Sequence, residues 1–363
     1  MKYLFILTTA FSFLFFLLLI SKKKKRQEHW FLASIFLLIT INSLFVFSFS
    51  NAESDYYIPV FSEVNYAIPL IYGTLFWFYT KSIVVPEFKF GRKDFWHFIP
   101  FIVFLIIILL PVFTSTTLPE SNLIGYPLLK LIINPIYLFG VLILLNRYRK
   151  NLLDESAYTD KINLMWLDWI TVGAILLWLI ALGGYFYSLS NPAVRPLLTD
   201  YIVLSFLGVY MFALAFVAFT KTDLFKQDNI RYIQLSRDLE APKSDQESHK
   251  DHSDIIQRLD EQVHSNQLFL DQELTIHKLA NLTGIPKYKI SKAINSEKQQ
   301  NFFEYINTFR VQHVIERMKT GELKQMSLLG LALDSGFNSK ASFNRIFKKI
   351  TGQTPSQYYK RIS

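Results

Sequence analysis

The chain has 363 residues, of which 51% are hydrophobic and only 18% charged, with 34 Phe and a net charge of +9. That composition excludes an ordinary soluble domain, in which charged residues run near a quarter of the whole. Cysteine is absent, which excludes disulfides, thiolate catalysis and Cys-ligated zinc.

The charge is unevenly placed. Residues 1–220 carry 16 Lys/Arg against 12 Asp/Glu, residues 221–253 carry 6 against 7, and residues 254–363 carry 16 against 10. Apolar sequence leads and basic sequence trails, a division that points to a membrane part followed by a part suited to a polyanion.

Seven stretches approach the roughly 20 apolar residues a bilayer span requires, because in hydrocarbon only a helix satisfies its own backbone. They are 3–20, 30–50, 64–80, 95–113, 126–145, 164–188 and 200–220. The third is the weakest, being short and carrying Pro69 and Gly73. The first is read as a retained span, because the basic run Lys22–Arg26 follows it where a signal peptide would have small residues. Loops 21–29, 81–94 and 147–163 together hold thirteen Lys/Arg, whereas loops 51–63, 114–125 and 189–199 hold only Arg195. Basic loops stay on the cytoplasmic side. The expected topology is therefore about seven spans in a bacterial cytoplasmic membrane, with the N-terminus outside and everything from Lys221 onward inside.

Polar residues within these stretches are few: Asn42, His97, Lys130, Asn134 and Asp168. They are read as structural, since His97, Lys130 and Asp168 lie near predicted interfaces, where such groups reach water. Asn134-Pro135 predicts a kink, and Gly183-Gly184 a close helix approach. No H-E-x-x-H, nucleotide-binding glycine loop or nucleophile elbow occurs. No catalytic, cofactor-binding or metal-binding residues are expected, and no enzyme.

From 221 to 253 the hydrophobicity collapses. Residues 223–239 predict a short amphipathic helix, and Glu240–His252 a flexible linker in which His249 and His252 are solvated and do not bind metal.

Residues 254–363 read as consecutive short helices, with one plan used twice. Thr275 and Ser327 stand where a helix N-cap belongs. Leu279-Ala280 and Leu331-Ala332 give each helix an apolar face, Gly284 and Gly336 end it, and Ile285 and Phe337 fill the corner. A second helix then turns Ile290/Ile294 or Phe343/Phe347 inward and leaves a polar, basic face outward. This is a helix-turn-helix, repeated about 53 residues apart.

The run Gly336-Phe337-Asn338-Ser339, then Ser342-Phe343-Asn344-Arg345-Ile346-Phe347-Lys348-Lys349 and Gly352-Gln353-Thr354-Pro355-Ser356-Gln357-Tyr358, resembles the signature of AraC/XylS-family transcription regulators. Asn301 to Val311 resembles that family's helix joining its two units. The likeness covers about 265–361, departing at Tyr359, where the family often has Arg, and at Val314, where Ala is usual. It implies two recognition helices entering adjacent major grooves about 34 Å apart. The groove-facing candidates it implies are Lys287, Tyr288, Ser291 and Lys292 in the first unit, and Asn338, Ser339, Lys340, Ser342, Asn344 and Arg345 in the second. Lys348, Lys349, Lys360 and Arg361 are candidates for phosphate, in a segment (335–363) with six basic residues and no acid.

The expected fold is therefore all-α: a transmembrane bundle (1–220), a cytoplasmic linker (221–253) and a double helix-turn-helix domain (254–363). The expected partners are duplex DNA at promoters, the lipid bilayer, a second copy in a homodimer, and a signal of unknown kind. The expected function is transcription regulation, as an activator on the family resemblance. Two alternatives are a transporter-like protein with a regulatory tail and a tethered factor released by proteolysis within 240–253.

Overall fold

A computed structural model describes residues 2–23, 26–50, 64–65, 67–85, 88–114, 120–157, 164–191, 196–221 and 249–363. Among them are fourteen α-helices and no strand. The chain divides into two compact units, one of residues 1–146 and 164–224, the other of residues 147–163 and 225–363.

The first unit contains α1 (Lys2–Ile20), α2 (Gln27–Ser50), α3 (Pro69–Val84), α4 (Ile99–Thr114, entered through a 3-10 turn at Arg92–Phe98), most of α5 (Glu120–Glu155), α6 (Met165–Ser190) and α7 (Pro196–Lys221). Many of its large apolar side chains point outward, with Trp169 70% and Phe139 65% exposed. Exposed apolar surface on that scale fits contact with lipid. Four segments are long and apolar enough to cross a membrane: Gln27–Phe47, Arg92–Leu110, Leu131–Glu155 and Met165–Tyr187. Among the described residues the expected count of about seven is thus reduced to four. The apolar part of α1, Phe5–Ile20, is shorter, and α3 has only 16 residues with Lys81 near its end.

Several polar groups in this unit pair across helices, as an apolar surrounding favours. Ser12 Oγ lies 2.8 Å from Thr40 Oγ1, joining α1 to α2. Asn134 accepts from the Gly73 N–H at 3.0 Å and donates to the Pro69 carbonyl at 3.0 Å, joining α5 to α3. Trp178 Nε1 donates to the Leu131 carbonyl at 2.9 Å, and the Tyr210 hydroxyl to that of Ile170 at 3.0 Å. His97 Nδ1 lies 3.1 Å from the Tyr137 hydroxyl. The close helix approach expected at Gly183 is not there, since nothing lies within 4 Å of a Cβ built on it. Close approaches occur instead at Gly73 against Asn134, Gly173 against the Tyr210 ring and Gly208 against Thr8.

The second unit contains α8 (His249–Ser265), α9 (Ile276–Thr283), α10 (Lys287–Ala293), α11 (Phe302–Lys319), α12 (Leu328–Asp334), α13 (Lys340–Thr351) and α14 (Pro355–Ile362). It has two apolar cores. One gathers Leu259, Val263, Leu274, Leu279, Ile290 and Ile306, the other Val311, Val314, Leu331, Phe337, Phe343 and Phe347. Helix α11 contributes to both, through Phe302, Tyr305 and Ile306 on one side and Phe303, Val311 and Val314 on the other.

Helix α8 begins earlier than the sequence suggested. His252 is not solvated linker: it is buried, with Nδ1 3.2 Å from Ser296 Oγ. Its apolar neighbours Ile256 and Leu259 recur at helical spacing and draw the preceding turn into the helix. The amphipathic helix expected at 223–239 and most of the expected linker lie outside the described residues.

Candidate nucleic-acid interface

Both turns form as local chemistry dictates. Thr275 Oγ1 accepts from the Lys278 N–H at 3.3 Å, and Ser327 Oγ from the Gly330 N–H at 3.0 Å, each satisfying a donor the first helical turn leaves open. Gly284 closes α9 at φ 68°, and Gly336 follows α12 at φ 90°. Ile285 and Phe337 are buried behind those turns. Ile290 and Ile294, and Phe343 and Phe347, then point into the two cores. Helix α10 is short, and a π-helical turn at Ile294–Lys298 continues it. Ser339 Oγ caps α13 through the Ser342 N–H at 3.1 Å.

The two units meet at Arg310. Its side chain, 1% exposed, donates from Nε to the Phe269 carbonyl at 2.8 Å, from Nη2 to the Asp271 carbonyl at 2.7 Å and from Nη1 to the Ala157 carbonyl at 2.9 Å. Burial lowers its pKa to about 10, so it remains charged at neutral pH. Gly336, in the second turn, abuts the same guanidinium and the Phe269 carbonyl so closely that a Cβ there would collide with both. Gln272 Nε2 donates to the Leu333 carbonyl at 3.1 Å, and His313 Nδ1 lies 3.1 Å from Ser335 Oγ, so further bonds cross the junction. The result is two helix-turn-helix units fixed on one helix, α11.

Twelve of the fourteen candidate residues, those on or just before α10 and α13, fall into three groups. Lys292, Lys340, Asn344, Arg345 and Lys348 are exposed on α10 and α13. Lys287, Tyr288 and Ser291 are half-buried on α10, with Lys287 Nζ 3.4 Å from His277 Nε2. The other four are enclosed by the fold or bonded within it. Ser342 is buried and turned inward, Ser339 is the α13 cap, and Lys349 makes an ion pair with Glu304 at 2.7 Å. The Asn338 carboxamide is enclosed, with neither polar atom hydrogen-bonded. Lys360 and Arg361 are exposed on α14, where the Arg361 guanidinium lies 4.7 Å from the Tyr358 ring.

Electrostatics follow the packing. His277 is held down to about 4 by burial first and by the Lys287 charge second. Burial, and the bond from its hydroxyl to Asp260 at 2.8 Å, push Tyr305 far above its usual range. The Glu304 carboxyl lies below its usual range, chiefly through the Lys349 hydrogen bond. Among the described residues no group of His, Asp and Glu side chains is arranged to hold a metal.

Sequence reasoning missed Arg310 and its neighbour Asn307. The signal was there: Arg310 stands four residues from Ile306 and from Val314, within the inward stripe of α11.

Residues 279–361 match a family profile described as a helix-turn-helix domain. The chain is 32% identical over 106 residues to the "Probable transcription factor PqrA" of Proteus vulgaris, covering 29% of this chain and 80% of that protein. It is 33% identical over 93 residues to an "Uncharacterized HTH-type transcriptional regulator" of Staphylococcus aureus, and 32% identical over 93 residues to another from strain COL. Those alignments cover 25% of this chain and span only 12% of each Staphylococcus protein. No solved structure matches the chain. With two capped turns on a shared helix and a relative matched over four-fifths of its length, the chain belongs, through its C-terminal domain, to the AraC-type helix-turn-helix family.

Proposed function

We propose that this protein is a membrane-embedded, sequence-specific DNA-binding transcription regulator that couples a signal in or across the membrane to promoter occupancy. One observation carries the reading: α10 and α13 present exposed basic and amide side chains while α11 fixes both in one unit. Helices held in this way suit successive major grooves of one duplex. Arg345 and Lys292 donate to guanine and Asn344 pairs with adenine in this reading, while Lys348, Lys360 and Arg361 neutralise phosphates. Ser339 and Lys349 are left to hold the helix that does the reading.

The membrane part of the proposal rests on the four long apolar helices, the outward apolar side chains and the thirteen-to-one bias of basic loops. The linker 221–253 then hands on to the DNA-binding domain in the cytoplasm. Pairing of two chains would add affinity by effective concentration. Chromosomal occupancy of the full chain, mapped by crosslinking and sequencing, tests the reading: discrete promoter sites are expected, and uniform background under every growth condition overturns it. A reporter joined after Ser363 should be active only on the cytoplasmic side.

A further inference from the structure

Helix α5 is continuous from Glu120 to Glu155, and from Arg147 its residues belong to the compact unit that carries the helix-turn-helix pair. The residues at its end are inserted in that unit. Leu153 packs against the second core, and Ala157, 1% exposed, is part of the first. Ser156 forms an antiparallel bridge with Thr275, and the Ala157 N–H donates to the Leu274 carbonyl at 3.1 Å. The Ala157 carbonyl in turn accepts from Arg310 Nη1 at 2.9 Å and from Asn307 Nδ2 at 3.1 Å.

We propose that residues 152–157 are an internal ligand of the DNA-binding domain, held in a slot beside α11 formed by Arg310, Asn307, Leu274 and Thr275, and that filling this slot keeps the two helix-turn-helix units in the alignment that reads DNA. The proposal rests on the DNA-binding reading above. Its recognition chemistry is that of a strand laid along a backbone edge, with main-chain bonds fixing register and one small side chain fixing fit. A guanidinium is all donor and no acceptor, so each N–H it buries needs an oxygen. Phe269, Asp271 and Asn307 supply some of these, and Ala157 supplies one that no residue of 249–363 provides.

Withdrawing the segment strips an acceptor from Arg310 and from Asn307 together. It also opens a space at the junction where Gly336 meets the same guanidinium. Because Leu153 touches one core and Ala157 the other, six residues brace both units at once. The apolar segment Leu131–Glu155 overlaps the start of residues 152–157, so the slot's occupant is covalently continuous with a candidate membrane span.

The absence of native cysteine permits a clean test in the full chain, reconstituted in lipid nanodiscs. Ser156 and Thr275 flank the Ala157–Leu274 bond as a non-hydrogen-bonded antiparallel pair, the arrangement with the shorter separation between facing residues. The double variant Ser156→Cys/Thr275→Cys should form an intrachain disulfide on treatment with diamide. Oxidised and reduced forms should bind equally well a duplex selected by the parent chain from a random pool. Ala157→Asp, which puts a carboxylate in the first core, should weaken that binding by about ten-fold or more at unchanged helical content, and so should Leu153→Asp.

Failure of the cysteines to join overturns the slot. Loss of binding in the oxidised form, or parental binding by both aspartate variants, overturns the aligning role. If the parent chain enriches no duplex at all, the DNA-binding reading and the aligning role fall together, while disulfide formation still decides whether the slot is filled.

Discussion

Lys349 Nζ lies 2.7 Å from Glu304 Oε1, joining the recognition helix of the second unit to the first turn of α11. Glu304 is already committed there, since it completes a capping box with Asn301. A side chain that family resemblance assigned to phosphate is thus engaged in holding two helices together. Lys349→Ala is expected to cost less than about 1 kcal/mol, because the lysine end of the pair is largely exposed. It should change the salt dependence of DNA binding little, whereas Lys348→Ala should lower that slope by about one. Titrations at several salt concentrations measure both, and equal slopes for the two variants would refute the distinction.

Two glycines of the same backbone class should respond differently to alanine. Gly284 at φ 68° has nothing within 4 Å of an added Cβ, so Gly284→Ala meets only backbone strain, about 1 kcal/mol. Gly336 at φ 90° adds collisions with the Phe269 carbonyl and Arg310, so Gly336→Ala should cost at least about 3 kcal/mol. Amide hydrogen exchange across α11 and α12 reports the difference.

The second unit should lose stability on mild acidification. The pKa of His277 falls from the usual 6.5 to about 4 in the fold, so the unfolded chain binds its proton first. Stability from this group is whole above about pH 6.5 and is lost as the pH falls toward 4. His313, lowered by burial first and by Arg317 second, acts with the same sign. His277→Gln should flatten part of the decline in hydrogen-exchange protection between these pH values, and an unchanged profile would exclude the assignment.

Arg345 and Asn344 are exposed on the outer face of α13. Arg345→Ala should cost about 1–3 kcal/mol on the selected duplex and relax preference at a single base pair. Binding to variant duplexes one substitution apart shows whether the loss is confined to one position; a uniform loss would reassign Arg345 to the phosphates.

The helix-turn-helix units were legible because their signals are short-range. A cap at Thr275, a glycine at 284 and an isoleucine at 285 sit within eleven residues, and the same order returns at Ser327, Gly336 and Phe337. The Arg310–Ala157 bond was not legible, since it spans 153 positions and joins a side chain to a carbonyl that carries no residue identity. Ser342 shows a different limit. Its place in the motif suggests a groove contact, but half a helical turn separates the outward face from the inward one, and only packing shows that this serine is buried. The apolar stretches were found as helices, yet hydrophobicity alone overstated how many reach spanning length, as the 16 residues of α3 show.

In the first unit, Gly208 of α7 stands against Thr8 of α1, with room for no side chain between them. Helix α1 is therefore completed by a helix that follows it by about 200 residues in the chain. A chain stalled before residue 196 would leave the Thr8 face of α1 uncovered. Assembly of the bundle must therefore wait until α7 has been made, after residues 147–163 of the second unit have already emerged.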